Sequence, residues 1–305
     1  MNRESLHIVR YADRTDGTPH VGIRVSNGVA PLEVDSMSAL LSMSLSDIRG
    51  LVEATNESLV PADALIALPP ADGLMEVWAA GVTYSRSKEA RVEESSQSDV
   101  YDKVYKAERP ELFFKALPWR VVTDGEPIAI RRDSTLNVPE PELAIVVNAG
   151  CEIVGYTICN DVSSRIIESE NPLYLPQAKM YAGSCALASG VRPSWDVNLA
   201  DLTISMLIER NGKSIWEGSS STSYLRRSPQ ELVDYIFREE QFPHGVIIST
   251  GTGIVPELSF SLSAGDIVSI AIAEIGVLRN PVVDGKPSMA WLTEAVTDAR
   301  IRLIS

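Results

Sequence analysis

The chain has few cysteines, few histidines and no long apolar run. Its 305 residues include three cysteines and three histidines. The cysteines lie in or beside apolar runs, which favours buried free thiols over disulfides or a zinc site. The histidines are scattered without ligand spacing, so we expect none of them in catalysis. No run approaches the roughly 18 apolar residues of a membrane span, and the N-terminus has no apolar signal core. We therefore expect a cytoplasmic protein.

Positive charge is also scarce. The chain has 27 lysine and arginine residues against 41 aspartate and glutamate residues, a formal net charge of −14. Such an acidic body argues against nucleic acid or an anionic membrane as a partner. A small anionic substrate still fits, because a bound divalent metal and one lysine supply a local positive centre. The 45% hydrophobic content is ordinary for a globular protein.

Two acidic residues open an apolar run near the middle of the chain. Glu140 and Glu142 are one residue apart and precede the sequence LAIVV, so both should point to one face of a strand. After a break at residues 148–150, a second apolar run covers residues 152–159 and leads to Asp161. The two runs predict a hairpin that brings the start of its first strand close to the end of its second. Three carboxylates then meet at one end of it.

Crowded carboxylates are costly unless protons or a cation neutralise them. Hard oxygen ligands without a nearby histidine favour Mg²⁺, with Mn²⁺ or Ca²⁺ as further candidates. We therefore predict an octahedral divalent-metal site at Glu140, Glu142 and Asp161. The alternative is that the two glutamates are a solvated strand start and that Asp161 only caps a helical turn over residues 162–168.

Several stretches resemble the fumarylacetoacetate hydrolase superfamily. They are PEPELA, GYTICNDVSSR and ENPLYLPQAK, with WAAGVTYSRSKEAR, ELFFKALP and STGTGIVP, and the resemblance extends from about Trp78 to Pro281. The similarity is greatest to a branch of dehydratases that act on 2-keto-3-deoxy sugar acids. It implies an α+β fold, with Glu140, Glu142 and Asp161 as the metal ligands. We expect a small N-terminal α+β domain over residues 1–70, a catalytic mixed β-roll over residues 71–305, and a homodimer or homotetramer.

The rest of the chain alternates short β runs with turns and is not a βαβ pattern. Strands are predicted over residues 6–11, 20–25, 77–81, 111–115, 128–130, 202–209, 213–217, 246–250 and 266–273. Helical segments are predicted over residues 36–43 and 46–55. A convincing helix covers residues 228–239, with Pro229 at its first position and Glu231 completing a capping box. The residues after Pro281 have the composition of a peripheral tail.

Lys179 follows Asp161 by 18 residues and is the candidate base at C3 of a keto acid. It could instead stay charged and stabilise an enolate, or form a Schiff base. The resemblance places Glu111 in the metal pocket, where it is our candidate acid for the departing hydroxyl. The resemblance also assigns substrate-binding roles, at the polyol end or the carboxylate, to Tyr84, Arg86, Ser87 and Thr252.

The expected reaction is Mg²⁺-dependent dehydration of a 2-keto-3-deoxy sugar acid, such as 2-keto-3-deoxy-D-arabinonate to 2,5-dioxopentanoate. One alternative is a C–C bond hydrolase of an acylpyruvate or a 2,4-diketo-3-deoxy sugar acid. The hydrolase branch has a histidine base three residues after the tyrosine that corresponds to Tyr84, and this chain has Ser87 there. Glu89 or Glu93 could replace the histidine as the base. A keto-acid decarboxylase or isomerase, and a non-enzymatic metal-dependent keto-acid binder, are further alternatives.

Overall fold

A computed structural model describes residues 6–25, 28–55, 59–85 and 103–303. The elements whose bounds lie wholly within these residues include eighteen strands and six short α-helices. The strands are β1 His7–Asp13, β2 Pro19–Val25, β3 Gly28–Pro31, β4 Leu65–Leu68, β5 Glu76–Gly81, β6 Glu111–Ala116, β7 Ile128–Ile130, β8 Asn137–Val138, β9 Pro141–Val147, β10 Ile153–Asp161, β11 Ser163–Ser164, β12 Cys185–Leu187, β13 Gly190–Pro193, β14 Thr203–Arg210, β15 Lys213–Ser221, β16 Val246–Ser249, β17 Ile267–Ile272 and β18 Gly276–Asp284. The helices are α1 Met37–Leu41, α2 Leu45–Ala54, α3 Arg165–Glu170, α4 Leu175–Lys179, α5 Pro229–Ile236 and α6 Trp291–Glu294.

Most of these strands form two mixed sheets. The larger has the order β3-β2-β1-β13-β10-β9-β16-β5-β6, with β4 also paired to β1 and β12 to β10. The smaller has the order β15-β14-β17-β18-β7, and β8 pairs with β11 separately. Most neighbours are antiparallel, whereas β16 with β5 and β18 with β7 are parallel. The mixed sheets with peripheral helices form the α+β architecture that the sequence predicts.

Strand β9 is buried on both of its faces. Leu143, Ile145 and Val147 belong to the core cluster that includes the inward residues of β14 and β17. Ala144 and Val146 belong to a second cluster that includes the buried residues of α1 and α2. A strand covered on both sides reads as a continuous apolar run, which explains the sequence LAIVV. The carboxylates at the start of β9 are therefore attached to one of the most enclosed strands of the fold.

The predicted hairpin of β9 and β10 is present. Cys159 lies opposite Glu142, and the Asp161 N–H donates to the Glu140 carbonyl oxygen at 3.0 Å. Strand β10 includes Asp161, and Ser163 and Ser164 pair with β8 before α3 begins at Arg165. The helical turn predicted over residues 162–168 therefore starts later than expected. The alternative in which Asp161 caps it is wrong, because Ser164 holds that position.

The predicted peripheral tail is also wrong. Strand β18 continues through Pro281 to Asp284 and pairs with β7, and Met289, Leu292 and Ala299 are buried beyond it. Arg302 then donates two bonds of 2.8 Å to the Glu126 carboxylate. The composition of this segment is small and polar, but its few apolar side chains complete the core.

Two details of the predicted helices differ. Helix α5 ends at Ile236, three residues before its predicted end, and Ser228 caps it by accepting a bond of 3.1 Å from the Glu231 N–H. The Glu231 carboxylate pairs with Arg227 instead of completing the capping box. The short helices α4 and α6 were not predicted from the sequence. The domain division at residue 70 stays a prediction, and β1 joins the N-terminal strands to the large sheet through β13.

Candidate metal centre and active site

Glu140, Glu142 and Asp161 lie together at one end of the β9–β10 hairpin. One carboxylate oxygen of each lies within 4.8 Å of the others, and the three residues are 4%, 1% and 1% exposed. The two-residue period of a strand places Glu140 and Glu142 on one face, and the register places Asp161 beside them on the same face. The convergence predicted from the hairpin is therefore seen in the structure.

The Glu142 carboxylate is fixed by two donors from the end of β16. Oε2 accepts a bond of 2.5 Å from the Ser249 hydroxyl and one of 2.8 Å from the Gly251 N–H. Gly251 has a φ of +87°, and a Cβ there would lie 2.9 Å from the Ala80 carbonyl oxygen, so a glycine is required. The turn at the end of β16 therefore directs a backbone N–H at the Glu142 carboxylate.

The crowding of carboxylates has an electrostatic consequence at Glu142. Burial raises its pKa well above the usual range, and the neighbouring Asp161, Cys159 and Glu140 raise it further. The ammonium group of Lys179 offsets part of this increase. The cluster therefore gains from any further positive charge placed among its oxygens.

Two buried lysines face the cluster. Lys179 Nζ lies 2.8 Å from Glu140 Oε2 and 3.0 Å from Asp161 Oδ2, and its side chain is 3% exposed. Lys115, which is fully buried, forms an ion pair with the other Asp161 oxygen and donates to the Lys179 carbonyl oxygen. Lys179 lines the cavity at the carboxylates. Lys115 is not one of the described residues that line it. In the sequence, Lys115 is the last residue of a predicted strand, and its place between Phe114 and Ala116 was the signal for burial.

The cavity at the carboxylates measures about 20 Å³, which is room for one ion or one water molecule. Glu111 lines it from β6, opposite Gly81 of β5. A Cβ at Gly81 would lie 2.6 Å from Glu111 Cδ, so the glycine leaves the space that this carboxylate occupies. Glu168 of α3, which is 4% exposed, also lines the cavity. Sequence reasoning missed Glu168, because an acid in a predicted turn carries no signal for burial.

The predicted substrate-binding residues are only partly within the described chain. Tyr84 is 1% exposed and packs so closely that a Cβ at Gly253 would lie 2.7 Å from its ring. Burial, and secondly Glu142, raises the pKa of the Tyr84 hydroxyl. Thr252 lines the cavity, but its hydroxyl donates to the Ile254 carbonyl oxygen at 3.1 Å. The remaining predicted positions lie outside the described residues: Arg86, Ser87, Glu89 and Glu93.

These residues fit a divalent cation with hard ligands. Within the described ranges, Glu140, Glu142 and Asp161 are the one group of acidic, histidine or cysteine side chains whose ligand atoms converge closely enough. Five carboxyl groups face the cavity, and two ammonium groups neutralise only part of their charge. All of the converging ligand atoms are carboxylate oxygens, which suits Mg²⁺, Mn²⁺ or Ca²⁺.

The fold and the site thus define an α+β protein with mixed sheets and a buried carboxylate centre for a divalent cation. Comparison of the sequence with known families identifies it further. The family model described as fumarylacetoacetate (FAA) hydrolase C-terminal matches residues 76–283. The chain belongs to the fumarylacetoacetate hydrolase family, as the motifs at the centre of the sequence indicated.

Two relatives are similar over most of their length. A protein of Haloferax volcanii named probable 2-keto-3-deoxyxylonate dehydratase is 50% identical over 238 residues, which are 77% of this chain and 82% of that protein. The 2-dehydro-3-deoxy-D-arabinonate dehydratase of Saccharolobus solfataricus is 42% identical over 254 residues, which are 82% of this chain and 79% of that protein.

A solved structure shows the same fold with a ligand. The structure of 2-keto-3-deoxy-D-arabinonate dehydratase complexed with magnesium and 2,5-dioxopentanoate is 35% identical, with a TM-score of 0.74 over 92% of this chain and 99% of the other. The match confirms the fold class predicted from the sequence.

In the described part of the chain, none of the helices has the length and apolar character needed to cross a membrane.

Proposed function

We propose that this protein is a hydro-lyase that converts a 2-keto-3-deoxy-pentonate to 2,5-dioxopentanoate with Mg²⁺ at the carboxylate centre. The names of the two similar dehydratases and the ligands of the similar structure support this reaction. The observation that carries the proposal is the position of Lys179. Its amine lies within 3.0 Å of two of the converging carboxylates and at the surface of the same cavity.

Glu140, Glu142 and Asp161 would hold the cation, and Ser249 and the Gly251 N–H would keep the Glu142 oxygen directed at it. A divalent cation there supplies Lewis acidity, which draws electron density from a 2-oxo acid and acidifies its C3 protons. Because β9 is packed on both faces, the protein holds these oxygens in place before substrate binds.

Lys179 is the proposed base that removes a proton from C3. Two ion pairs hold its ammonium group in the structure, and both involve proposed metal ligands. When these oxygens bind a cation, Lys179 loses the partners that favour its charged form. A neutral amine at this position would be placed to take a proton from C3 of a keto acid bound at the carboxylate centre. Lys115 keeps its contacts with Asp161 and the Lys179 backbone, so it remains a fixed compensating charge.

Glu111 is the proposed acid that protonates the hydroxyl leaving from C4. It reaches the cavity over Gly81, from the side of β5 and β6, whereas Lys179 reaches it from α4. Loss of the C3 proton and the C4 hydroxyl, as water, leaves an unsaturated 2-oxo acid with an alcohol at C5. Two tautomerisation steps then move one hydrogen from the C5 carbon and one from its hydroxyl to C3 and C4, and give the 2,5-dioxo acid.

The substrate names of the two relatives are compatible with one compound. A 2-keto-3-deoxy-pentonate has lost the stereocentres at C2 and C3 and keeps only the one at C4. Arabinonate and xylonate of the same C4 configuration therefore give the same keto acid. The substrate question for this protein becomes the configuration at C4 and the chain length.

Mass spectrometry tests the proposal directly. Purified protein with Mg²⁺ is incubated with both C4 isomers of 2-keto-3-deoxy-pentonate, a 2-keto-3-deoxy-hexonate and an acylpyruvate. We expect loss of one water from one pentonate isomer and no cleavage of the acylpyruvate. Rapid acylpyruvate hydrolysis without dehydration would refute the proposal. So would thermal stabilisation by keto acids without any product, because that is the behaviour of a binding protein.

A further inference from the structure

A second cavity lies apart from the carboxylate centre and shares none of its lining residues. It measures about 420 Å³, within the range of cavities that bind small molecules. Its walls come from β1 and β4, from residues 124–126 and from the C-terminal residues Arg302 and Leu303. The cavity therefore lies where the N-terminal strands, the large sheet and the end of the described chain meet.

This cavity is lined by an excess of positive charge. Arg10, Arg14, Arg24 and Arg302 line it, against the two acids Asp124 and Glu126. The protein as a whole carries a formal charge of −14, so this concentration of guanidinium groups runs against its composition. A positive site on an acidic protein attracts small anions by local fields rather than by net charge.

The contacts within the protein use only some of the N–H donors of these arginines. Arg24 donates one bond within the described chain, from Nη1 to the Ser189 hydroxyl at 3.2 Å, although a guanidinium carries five N–H groups. Arg14 donates from Nε to the Leu65 carbonyl oxygen at 3.1 Å, and Arg10 pairs through Nε with Asp72 at 3.2 Å. Within the described residues, donor groups of three arginines thus remain for a ligand at one open-sided cavity.

The arginines also oppose one another. Burial lowers the pKa of Arg10, and the nearby positive charge of Arg302 lowers it further despite the ion pair with Asp72. Burial likewise lowers the pKa of Arg24, with Asp124 acting in the opposite direction. Confining like charges in a cavity is unfavourable until an anion lies between them. Apolar residues such as Val29, Leu65 and Ile66 complete the wall and suit a carbon skeleton.

We propose that this cavity binds a small organic dianion, a dicarboxylate or a phosphorylated metabolite, at a site separate from the active site. Guanidinium groups bind both of these ligands through paired, charge-assisted hydrogen bonds. The bound anion would connect the N-terminal strands to the C-terminal segment and so stabilise the native protein. This inference does not depend on the reaction at the carboxylate centre.

Calorimetric titration of the full chain with succinate, and separately with inorganic phosphate, tests the site and distinguishes the two ligand sources. Arg24→Ala removes a half-buried guanidinium of the cavity that donates one bond within the described chain, to the Ser189 hydroxyl. Arg132→Ala is the matched control, because Arg132 carries the same charge in an exposed ion pair with Asp284 outside the cavity. We expect wild type and Arg132→Ala to bind at least one probe, and Arg24→Ala to bind it about tenfold more weakly or not at all.

Titration in the presence of a chelator separates this cavity from the active site, since an anion held through a cation at the carboxylate centre would lose its binding there. Probe binding that survives chelation and is lost in Arg24→Ala supports the proposal. Absence of saturable binding to wild type, or equal binding to wild type and Arg24→Ala, overturns it. Sedimentation of wild type and of Arg24→Ala is the last check. If the wild-type oligomer does not bind the probes and Arg24→Ala forms a smaller oligomer, a second copy of the chain covers the cavity and the proposal is wrong.

Discussion

Replacement of Lys179 by methionine tests the proposed base most directly. General-base catalysis contributes about 10²- to 10⁴-fold to a rate, so we expect kcat for dehydration to fall by that factor. Substrate affinity should change much less, because the carboxylate centre and not the amine is expected to hold the keto acid. Removing one partner of a buried ion pair costs about 3–5 kcal/mol, so the melting temperature without metal should fall by roughly 10 °C.

Exchange of the C3 hydrogens with D₂O, followed by proton NMR, separates abstraction from later steps. If Lys179 removes the C3 proton, Lys179→Met should lose exchange and dehydration together, since both pass through the same enolate. Survival of exchange with loss of dehydration would refute this role and place Lys179 at departure of the hydroxyl. A covalent adduct at Lys179 after borohydride treatment with substrate would indicate a Schiff base instead.

Lys115→Met is the matched control for charge. Lys115 is as buried as Lys179 and pairs with the same aspartate, but it does not line the described cavity. We expect a similar loss of stability and weaker metal binding, with kcat at saturating metal far closer to wild type. If both variants lose the same factor in kcat once metal occupancy is matched, Lys179 contributes only charge, and the argument for a base fails.

The remaining predictions concern the metal and the acid. Exhaustive chelation should abolish activity, and Glu142→Gln should weaken Mg²⁺ binding in calorimetry by about tenfold or more while the circular dichroism spectrum is unchanged; full activity after chelation would contradict the site. Gly81→Ala should lower kcat as much as Glu111→Gln does, because the new Cβ takes the space of the Glu111 carboxylate; full activity would show that Glu111 is dispensable. Because the pKa of Glu142 is raised in the folded protein, this residue contributes to the stability of the chelated protein at low pH. The contribution is fully present below the pKa of the unfolded state, about 4.3, and is lost as pH rises through the pKa of the folded state. The rise in melting temperature caused by Mg²⁺ should therefore grow between pH 5 and 8, and a constant rise across this range would count against ionisation of Glu142 on binding.

The local parts of the fold could be predicted from the sequence. The two apolar runs in residues 139–161 identified both strands of the hairpin, and a two-residue period was enough to place Glu140 and Glu142 on one face. Ser228 and Pro229 correctly indicated the start of α5. These signals are local, because strand faces and helix caps depend on neighbours within a few residues.

The errors came from contacts that are distant in sequence. The segment after Pro281 looks like a tail until Arg302 is seen bonded to Glu126, 176 residues earlier in the chain. Lys115 looks like a strand-end charge until its ion pair with Asp161 is known. Glu168 and Ser249 are further cases, since nothing near either residue indicates that it faces the metal centre. The substrate-binding roles of Tyr84, Arg86, Ser87 and Thr252 stay predictions.

The packing of β9 explains why a costly cluster of acids can persist in this fold. Its inner residues belong to both main cores, so moving Glu142 away from Asp161 would require the strand to leave two packed faces at once. Leu143, Ile145 and Val147 are each fully buried, and burying one such side chain contributes about 1.5–3 kcal/mol. Three of them together contribute about 4.5–9 kcal/mol, which offsets the several kcal/mol that one uncompensated buried charge costs but not the cost of three. The apolar strand therefore holds the carboxylates close enough that two lysines and a cation are needed to neutralise them.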